Sequence, residues 1–216
     1  MSVNIVAGLA RYRTLVFDCD GVILDSNPIK TKAFYNTALP YGTDMANALV
    51  AHHKQHGGVS RQLKFRTFLR DIVQQQPSEM ALQDLLHRYA AEVRAGLAQC
   101  PMAPGLASWR EAMPDSHWMV VSGGDQTELR EVFAARGITD WFDAGIFGSP
   151  DDKDTILARE RPELRLPAVF FGDSRYDYEA ATRAGLDFVF VSGWTEFADW
   201  ESYFIGTGIV TIDMVR

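Results

Sequence analysis

A short apolar run, Thr14-Leu15-Val16-Phe17, leads directly into two aspartates one residue apart, Asp18 and Asp20, and then into Gly21. An apolar run of this length bounded by a turn signal reads as a buried strand. Carboxylates at the end of a buried strand are not ordinary surface charge. In open α/β sheets, ligands bind outside the carboxyl ends of the strands. Two anions this close repel each other unless a cation or a shared proton lies between them. The stretch from Phe17 to Asn27 therefore predicts a metal-assisted carboxylate site at a sheet edge.

Past Asn27 the hydrophobic period changes. After a first strand over 11–18, a helix begins at Pro28 with Ile29, Ala33, Phe34, Thr37 and Ala38 on it, the proline fitting its first turn. Thr43 is read as the cap of a second helix, which runs to His56 and stops at Gly57-Gly58. Ser60 caps a third helix, whose apolar stripe is Phe65, Phe68, Leu69, Ile72 and Val73. Leu82, Leu85, Leu86, Tyr89 and Val93 repeat the stripe on a fourth. Residues 28 to 97 thus read as an all-helical block.

Beyond Pro101 the chain alternates. A helix over Leu106 to Met113 precedes a strand over His117 to Val121, ending at Ser122-Gly123-Gly124. Helices are predicted at Thr127 to Arg136, Asp154 to Arg161 and Tyr178 to Ala184. Strands are predicted at Ala144 to Phe147, Ala168 to Phe171 and Phe188 to Val191. Trp194, Phe197 and Trp200 are expected to pack at the sheet edge. Alternating strands and helices mean a doubly wound parallel sheet. The fold class is therefore α/β, a Rossmann-like core formed by residues 1–24 and 98–216. An all-helical domain, 25–97, is inserted above the two aspartates.

Composition narrows the function classes. The 216 residues carry a net charge of −7, which argues against nucleic acid as a partner but not against a small anion bound locally. The two cysteines, Cys19 and Cys100, form no metal or disulfide pattern and fit a reducing compartment. Cys19, flanked by acids, reads as a packing thiol. No apolar run is long enough for a membrane span, and Val3 to Leu9 is too short for a signal peptide, so a cytoplasmic location is expected.

Each strand end carries a chemically useful group: Asp18 and Asp20, Ser122, Lys153 in the loop after the third strand, and Asp173 with Asp177. In a parallel sheet these ends converge. Oxygen ligands without histidine or cysteine suit Mg²⁺. A carboxylate beside Mg²⁺ can attack phosphorus, a lysine and a hydroxyl can hold phosphoryl oxygens, and a second aspartate can move the proton.

Four motifs carry a resemblance. Asp18-Cys19-Asp20-Gly21-Val22-Ile23-Leu24-Asp25-Ser26, Val121-Ser122-Gly123, the Lys153 segment and Gly172-Asp173-Ser174-Arg175-Tyr176-Asp177 succeed one another over residues 12 to 192. In that order they resemble the haloacid dehalogenase superfamily, in its phosphatase-type branch with a helical cap inserted after the first motif. The resemblance implies Asp18 as nucleophile forming an aspartyl phosphate and Asp20 as general acid and base. Gly21, Ser122, Gly123 and Lys153 would contact the phosphoryl group. Mg²⁺ would lie on Asp18, the backbone carbonyl of Asp20, and Asp173, with Asp177 either a further ligand or acting behind the ligands. Lys153 departs from the pattern in being followed by Asp-Thr where proline is common.

The expected function is Mg²⁺-dependent hydrolysis of a small anionic phosphorylated metabolite, phosphoglycolate-like or sugar-phosphate-like, by a monomer or homodimer. A phosphomutase of the β-phosphoglucomutase kind shares all four motifs, and a catalytically silent regulatory module is the remaining alternative. Phosphonate hydrolysis would need a Schiff-base lysine from the insert, for which Lys30 and Lys32 are the candidates. In the joint Gly57 to Arg66, the helix start with Arg61 and Lys64 is expected to bind a carboxylate or second phosphate of the substrate. His52, His53 and His56 read as solvated histidines on the insert surface, with substrate contact as the rival.

Overall fold

A computed structural model describes residues 8–216, so most of the Val3 to Leu9 stretch lies outside the described residues. Six parallel strands form one sheet: β1 (Thr14–Phe17), β2 (His117–Asp125), β3 (Ile146–Ser149), β4 (Ala168–Gly172), β5 (Asp187–Val191) and β6 (Val210–Ile212). Their spatial order is β3-β2-β1-β4-β5-β6. The order reverses between β1 and β4, and at such a switch point the connections leave toward opposite faces and open a crevice. Asp18 ends one of those strands and Asp173 the other.

The apolar runs are continuous because both faces of a parallel sheet are covered. Leu15, Phe17, Trp118, Val120, Val169 and Phe171 join one core cluster, while Val16, Met119, Val121 and Phe170 join another. That alternation is the period of two that a strand imposes. Leu129 and Phe133 of one helix cover the first face, and Ile156, Leu157, Ala180 and Ala181 cover the second.

The first four helices after β1 are α1 (Asn27–Ala38), α2 (Thr43–Gln55), α3 (Arg61–Thr67) and α4 (Glu79–Gln99). They pack round a cluster of their own that includes Phe34, Leu49, Phe65, Phe68, Leu85, Tyr89 and Val93. Pro28 stands in the first turn of α1, and the Ser78 hydroxyl accepts the Ala81 N–H at 3.1 Å. The remaining helices are α5 (Leu106–Ala112), α6 (Gln126–Ala135), α7 (Lys153–Glu160), α8 (Arg175–Arg183) and α9 (Trp200–Phe204). No described helix is long and apolar enough to cross a membrane.

Several boundaries differ from the sequence expectation, each for a local reason. β2 does not stop at Val121: after an irregularity it pairs again with β3 through Asp125 and Ser149, so Ser122 lies within the strand. Ala144 and Gly145 still belong to the turn closed by the Gly145 N–H on the Phe142 carbonyl, so β3 starts at Ile146. Gly42 rather than Thr43 holds the cap position of α2. The stripe of α3 ends in a wide turn over Phe68–Ile72, where the Val73 N–H reaches back five residues to the Phe68 carbonyl at 2.9 Å. Helices α6, α7 and α8 each start earlier than their apolar pattern, because Asp125, Asp152 and Ser174 accept N–H groups of the first turn.

α9 and β6 have no counterpart in the sequence reading. Both are short, and β6 leaves Val210 exposed, so neither shows a clear period. β6 makes the sheet edge, and the C-terminal aromatics cover β5 instead: Phe190 lies 5.1 Å from Trp200 and 6.5 Å from Phe197, centroid to centroid. Trp194 packs against the first core cluster.

Phe65 is fully buried among Phe34, Tyr89 and the other apolar groups of the insert. Phe65→Ala is expected to cost about 3–5 kcal/mol of unfolding free energy in a urea titration. A loss well under 1 kcal/mol would contradict the packing of the insert.

Candidate active site at the sheet switch point

Asp18 follows β1 while its backbone is still held by the sheet: its N–H donates to the Phe171 carbonyl at 2.9 Å. Its Oδ1 accepts the Cys19 N–H at 2.7 Å and lies 3.0 Å from Lys153 Nζ. Lys153, the first residue of α7, is wholly buried, and its ammonium also pairs with Oδ1 of Asp177. Asp177 is held by the start of α8. Its Oδ2 accepts the Ser174 N–H at 3.1 Å and the Ser174 hydroxyl at 2.6 Å, while the Asp177 N–H donates to Ser174 Oγ. This reciprocal capping box leaves one oxygen of Asp177 on the helix end and the other on Lys153.

Asp173 follows β4, and its Oδ2 accepts from Asn27 Nδ2 at 2.8 Å. The approach requires glycine opposite: a Cβ on Gly21 would lie 2.1 Å from that oxygen, and Gly21 has φ +74°. Asp18, Asp173 and Asp177 offer oxygens within 4.8 Å of one another, all buried. Burial raises the Asp18 carboxyl to about 7 even though Lys153 opposes the rise. Burial first, then the charges of Asp18 and Asp177, push Asp173 well above the usual carboxylate range. Burial works against the charge on Lys153, but Asp177 and Asp18 more than offset it, so its ammonium persists above the usual lysine range. Three carboxylates around one ammonium leave an excess of negative charge. That oxygen-only, anionic donor set fits a hard divalent cation such as Mg²⁺.

Asp20 is turned away from this group. Its Oδ1 accepts from the Ser26 hydroxyl at 2.5 Å, and its Oδ2 pairs with Lys30 Nζ at 2.5 Å. Burial would raise its carboxyl, but Lys30 and the Ser26 hydrogen bond hold it below the usual range. Lys30 lies four residues after Ser26, one helical turn on, which puts both side chains above the same carboxylate. As an aspartate partner it is a role the sequence reading did not give it. Ser122 is buried, and its Oγ accepts the Gly124 N–H at 3.1 Å.

The insert reaches the site through its 57–60 joint. A Cβ on Gly123 would lie 2.2 Å from the Gly58 carbonyl oxygen, and one on Gly58 would lie 2.9 Å from Ser174 Oγ and 3.6 Å from Lys153 Cε. Backbone therefore meets backbone directly over the strand ends. A cavity of about 390 Å³ remains, lined by Asp18, Asp20, Asp173 and Gly123 from the core and by Lys30, Arg61, Lys64 and Tyr89 from the insert.

The two basic residues of α3 are placed differently. Arg61 lies 3.0 Å from Glu128 and 3.4 Å from Asp125, both in the core, so its guanidinium bridges insert and core. Lys64 is buried, with Nζ 2.8 Å from His53 Nδ1. The expectation of solvated histidines fails for His53, which is buried with its ring 4.4 Å from that of Phe34. Burial and the neighbouring Lys64 charge push His53 down to about 2, so it is neutral. His52 and His56 stack on each other at 4.1 Å, with His56 exposed. Cys19 is buried, and burial pushes its thiol well above the usual range, as a packing thiol requires.

Lys153→Met leaves Asp18 and Asp177 buried without their cation. In chelator-treated protein the expected cost is about 3–5 kcal/mol of stability at pH 8. The cost shrinks as pH falls through about 7 and below, because the raised Asp18 carboxyl takes up a proton and no longer needs the ammonium. A pH-independent loss in urea melts would contradict the pairing.

The chain is 25% identical over 192 residues to the fructose-1-phosphate phosphatase YqaB of Escherichia coli (strain K12), covering 83% of this chain and 96% of that protein. Among solved structures, a predicted phosphatase from Clostridium acetobutylicum superposes with a TM-score of 0.70 at 18% identity, over 93% of each chain. CbbY from Rhodobacter sphaeroides, solved in complex with phosphate, gives a TM-score of 0.65 at 20% identity over 94% of this chain and 95% of its own. The family model of the haloacid dehalogenase-like hydrolases matches residues 12–185, and the chain belongs to that family.

Proposed function

We propose that the chain is a Mg²⁺-dependent phosphatase that cleaves the phosphomonoester of a small metabolite through a phosphoaspartate on Asp18. The observation that carries this reading is the state of Asp18. Its Oδ1 is held by the Cys19 N–H and by Lys153, which leaves Oδ2 as the oxygen for attack at the floor of the cavity. The Lys153 ammonium beside it favours the ionised carboxylate, the form that attacks phosphorus.

In the first half-reaction Asp18 Oδ2 bonds to phosphorus, the ester P–O bond breaks, and Asp20 gives the leaving oxygen its proton. In the second, water attacks the phosphoaspartate, Asp20 takes the water proton, and phosphate leaves with Asp18 restored. In the free site Lys30 holds Asp20 ionised, the form that accepts the water proton; for the first half-reaction Asp20 takes up a proton from solvent as the ester binds. Lys153 would offset charge on the phosphoryl oxygens, with Gly123 lining the cavity and the Ser122 hydroxyl and the Gly21 backbone as further contacts. Asp18, Asp173 and the Asp20 backbone carbonyl would hold Mg²⁺, with Asp177 acting through Lys153. The cation would supply the positive charge that three carboxylates and a phosphoryl group lack.

The helices of 25–97 serve as a cap that excludes water once the ester is bound. Arg61, tied to Glu128 and Asp125, favours a role in closing it. The names of the relatives, a fructose-1-phosphate phosphatase and a protein solved with phosphate, support a phosphorylated small molecule as substrate.

Phosphate release from p-nitrophenyl phosphate tests the reading. Wild type is expected to turn over with Mg²⁺, stop with EDTA and recover when Mg²⁺ returns. Asp18→Asn is expected to fall to background. Full activity of Asp18→Asn would overturn the assignment. Release that needed an added sugar bisphosphate would favour a phosphomutase.

A further inference from the structure

Among the described cations that line the cavity, one has no carboxylate partner among the described residues. Lys30 pairs with Asp20, Lys54 lies 3.3 Å from Glu196, Arg61 pairs with Glu128, and Arg175 lies 2.7 Å from Glu179. Lys64 lies against the same cavity with 3% of its surface exposed, and its polar contact among the described residues is the His53 ring nitrogen at 2.8 Å. The other charge-compensating neighbour is an aromatic face, the Phe34 ring, 5.5 Å from Nζ. A neutral imidazole and one ring leave a buried ammonium far short of the compensation that burial demands.

Its neighbours do not make up the difference. His53 Nδ1 accepts from Lys64, so by this bonding the ring proton sits on Nε2, which faces Glu196 Oε2 at 3.6 Å without reaching hydrogen-bond distance. Glu196 itself is committed to Lys54 and to the Thr31 hydroxyl at 2.6 Å. Asp20, the other acid acting on Lys64, is already paired with Lys30. Burial first, then the Lys30 ammonium, lower the Lys64 ammonium to about 7; Asp20 and Glu196 oppose the drop and Lys153 adds to it. His52, on the outer side of α2, is itself lowered by burial and by its neighbours His56 and Lys64.

Taking the phosphatase reading as given, we infer that Lys64 is the seat of a second anion subsite and that the substrate carries a carboxylate at the end remote from its phosphoryl group. One unpaired ammonium matches one carboxylate in charge. A second phosphate would bring more charge and more acceptor oxygens than this donor satisfies. The start of α3 adds nothing to the subsite: the Ser60 hydroxyl already accepts the Leu63 N–H, and Arg61 is spent on the core. Lys64 thus acts as a specificity residue, with His53 positioning its amine.

The test compares ω-carboxyalkyl phosphates of increasing chain length with their ω-carbamoyl counterparts, which keep the shape and lose the charge. At one length or more, wild type is expected to favour the carboxylate by about tenfold or more in kcat/KM. In Lys64→Met that ratio is expected to fall to about one, and Lys64→Arg is expected to keep part of it. In wild type the ratio is largest below pH 7 and falls as pH rises past the Lys64 value of about 7, since the ammonium is then lost. Ionisation of the phosphoryl group is common to both members of a pair and cancels.

A wild-type ratio near one at every length overturns the inference, as does a ratio that survives in Lys64→Met, a ratio that rises with pH, or a preference for a second phosphate over the carboxylate. If Lys64→Met does not fold, the wild-type pH dependence decides. Calorimetric binding of the same pairs to Asp18→Asn protein reads the ratio without turnover. Failure of hydrolysis and failure of the subsite are therefore separable.

Discussion

A single buried ammonium holds the site together. Lys153 lies between Asp18 and Asp177 with no exposed surface, and Asp177 is itself bound into the first turn of α8 by Ser174. The ends of β1 and β4 and the start of α7 are thereby one electrostatic unit. Carboxylates as close as Asp18, Asp173 and Asp177 cannot all stay ionised in a water-poor setting without positive charge among them. One lysine supplies part of that charge. The remainder is the reason an oxygen-ligated cation fits there, and the reason a phosphoryl group could be accommodated among so many acids.

The strand order turns this unit into a cleft. Because the order reverses between β1 and β4, a gap opens above Asp18 and Asp173. The helical insert leaves from the end of β1 and fills the space above. Asn27, its first helical residue, donates to Asp173 and to the Trp194 carbonyl, both at 2.8 Å, so the insert is anchored on the core at its root. Further out, Lys30, Lys54 and Arg61 each reach a core carboxylate. Partly exposed pairs of this kind add little stability singly. Arranged round one opening, they set the position in which the insert faces the sheet.

Much of the fold was legible because its signals are local. The continuous apolar runs at Leu15–Phe17 and Val169–Phe171 mark strands covered on both faces, and the stripes at Leu82–Val93 and Phe65–Leu69 mark helices with one buried side. Ends were less legible. Side-chain caps at Asp125, Asp152 and Ser174 lengthen helices beyond their apolar pattern, and pairing with β3 carries β2 through a Ser-Gly-Gly segment that reads as a turn. In the site, Asp18, Asp173, Asp177 and Lys153 were found from their positions after strands, and they do meet. Lys30 on Asp20, Lys64 on His53 and Glu196 against Lys54 were not foreseen. Each joins residues distant in the chain or on different helices, and no periodicity records such a meeting.

The amino-acid sequence by itself determined the elements and the acids at their ends, since hydrophobic period, glycine and capping residues act within a few positions of one another. It also determined that an all-helical segment comes after the first strand. Only the tertiary structure decided which charges are spent and which remain. Arg61 and Lys64 lie three residues apart on one short helix, yet one meets core carboxylates and the other meets a neutral histidine and an aromatic ring. The cost of a buried charge depends on every group within a few ångströms of it, and those neighbours come together only when the insert folds down onto the sheet.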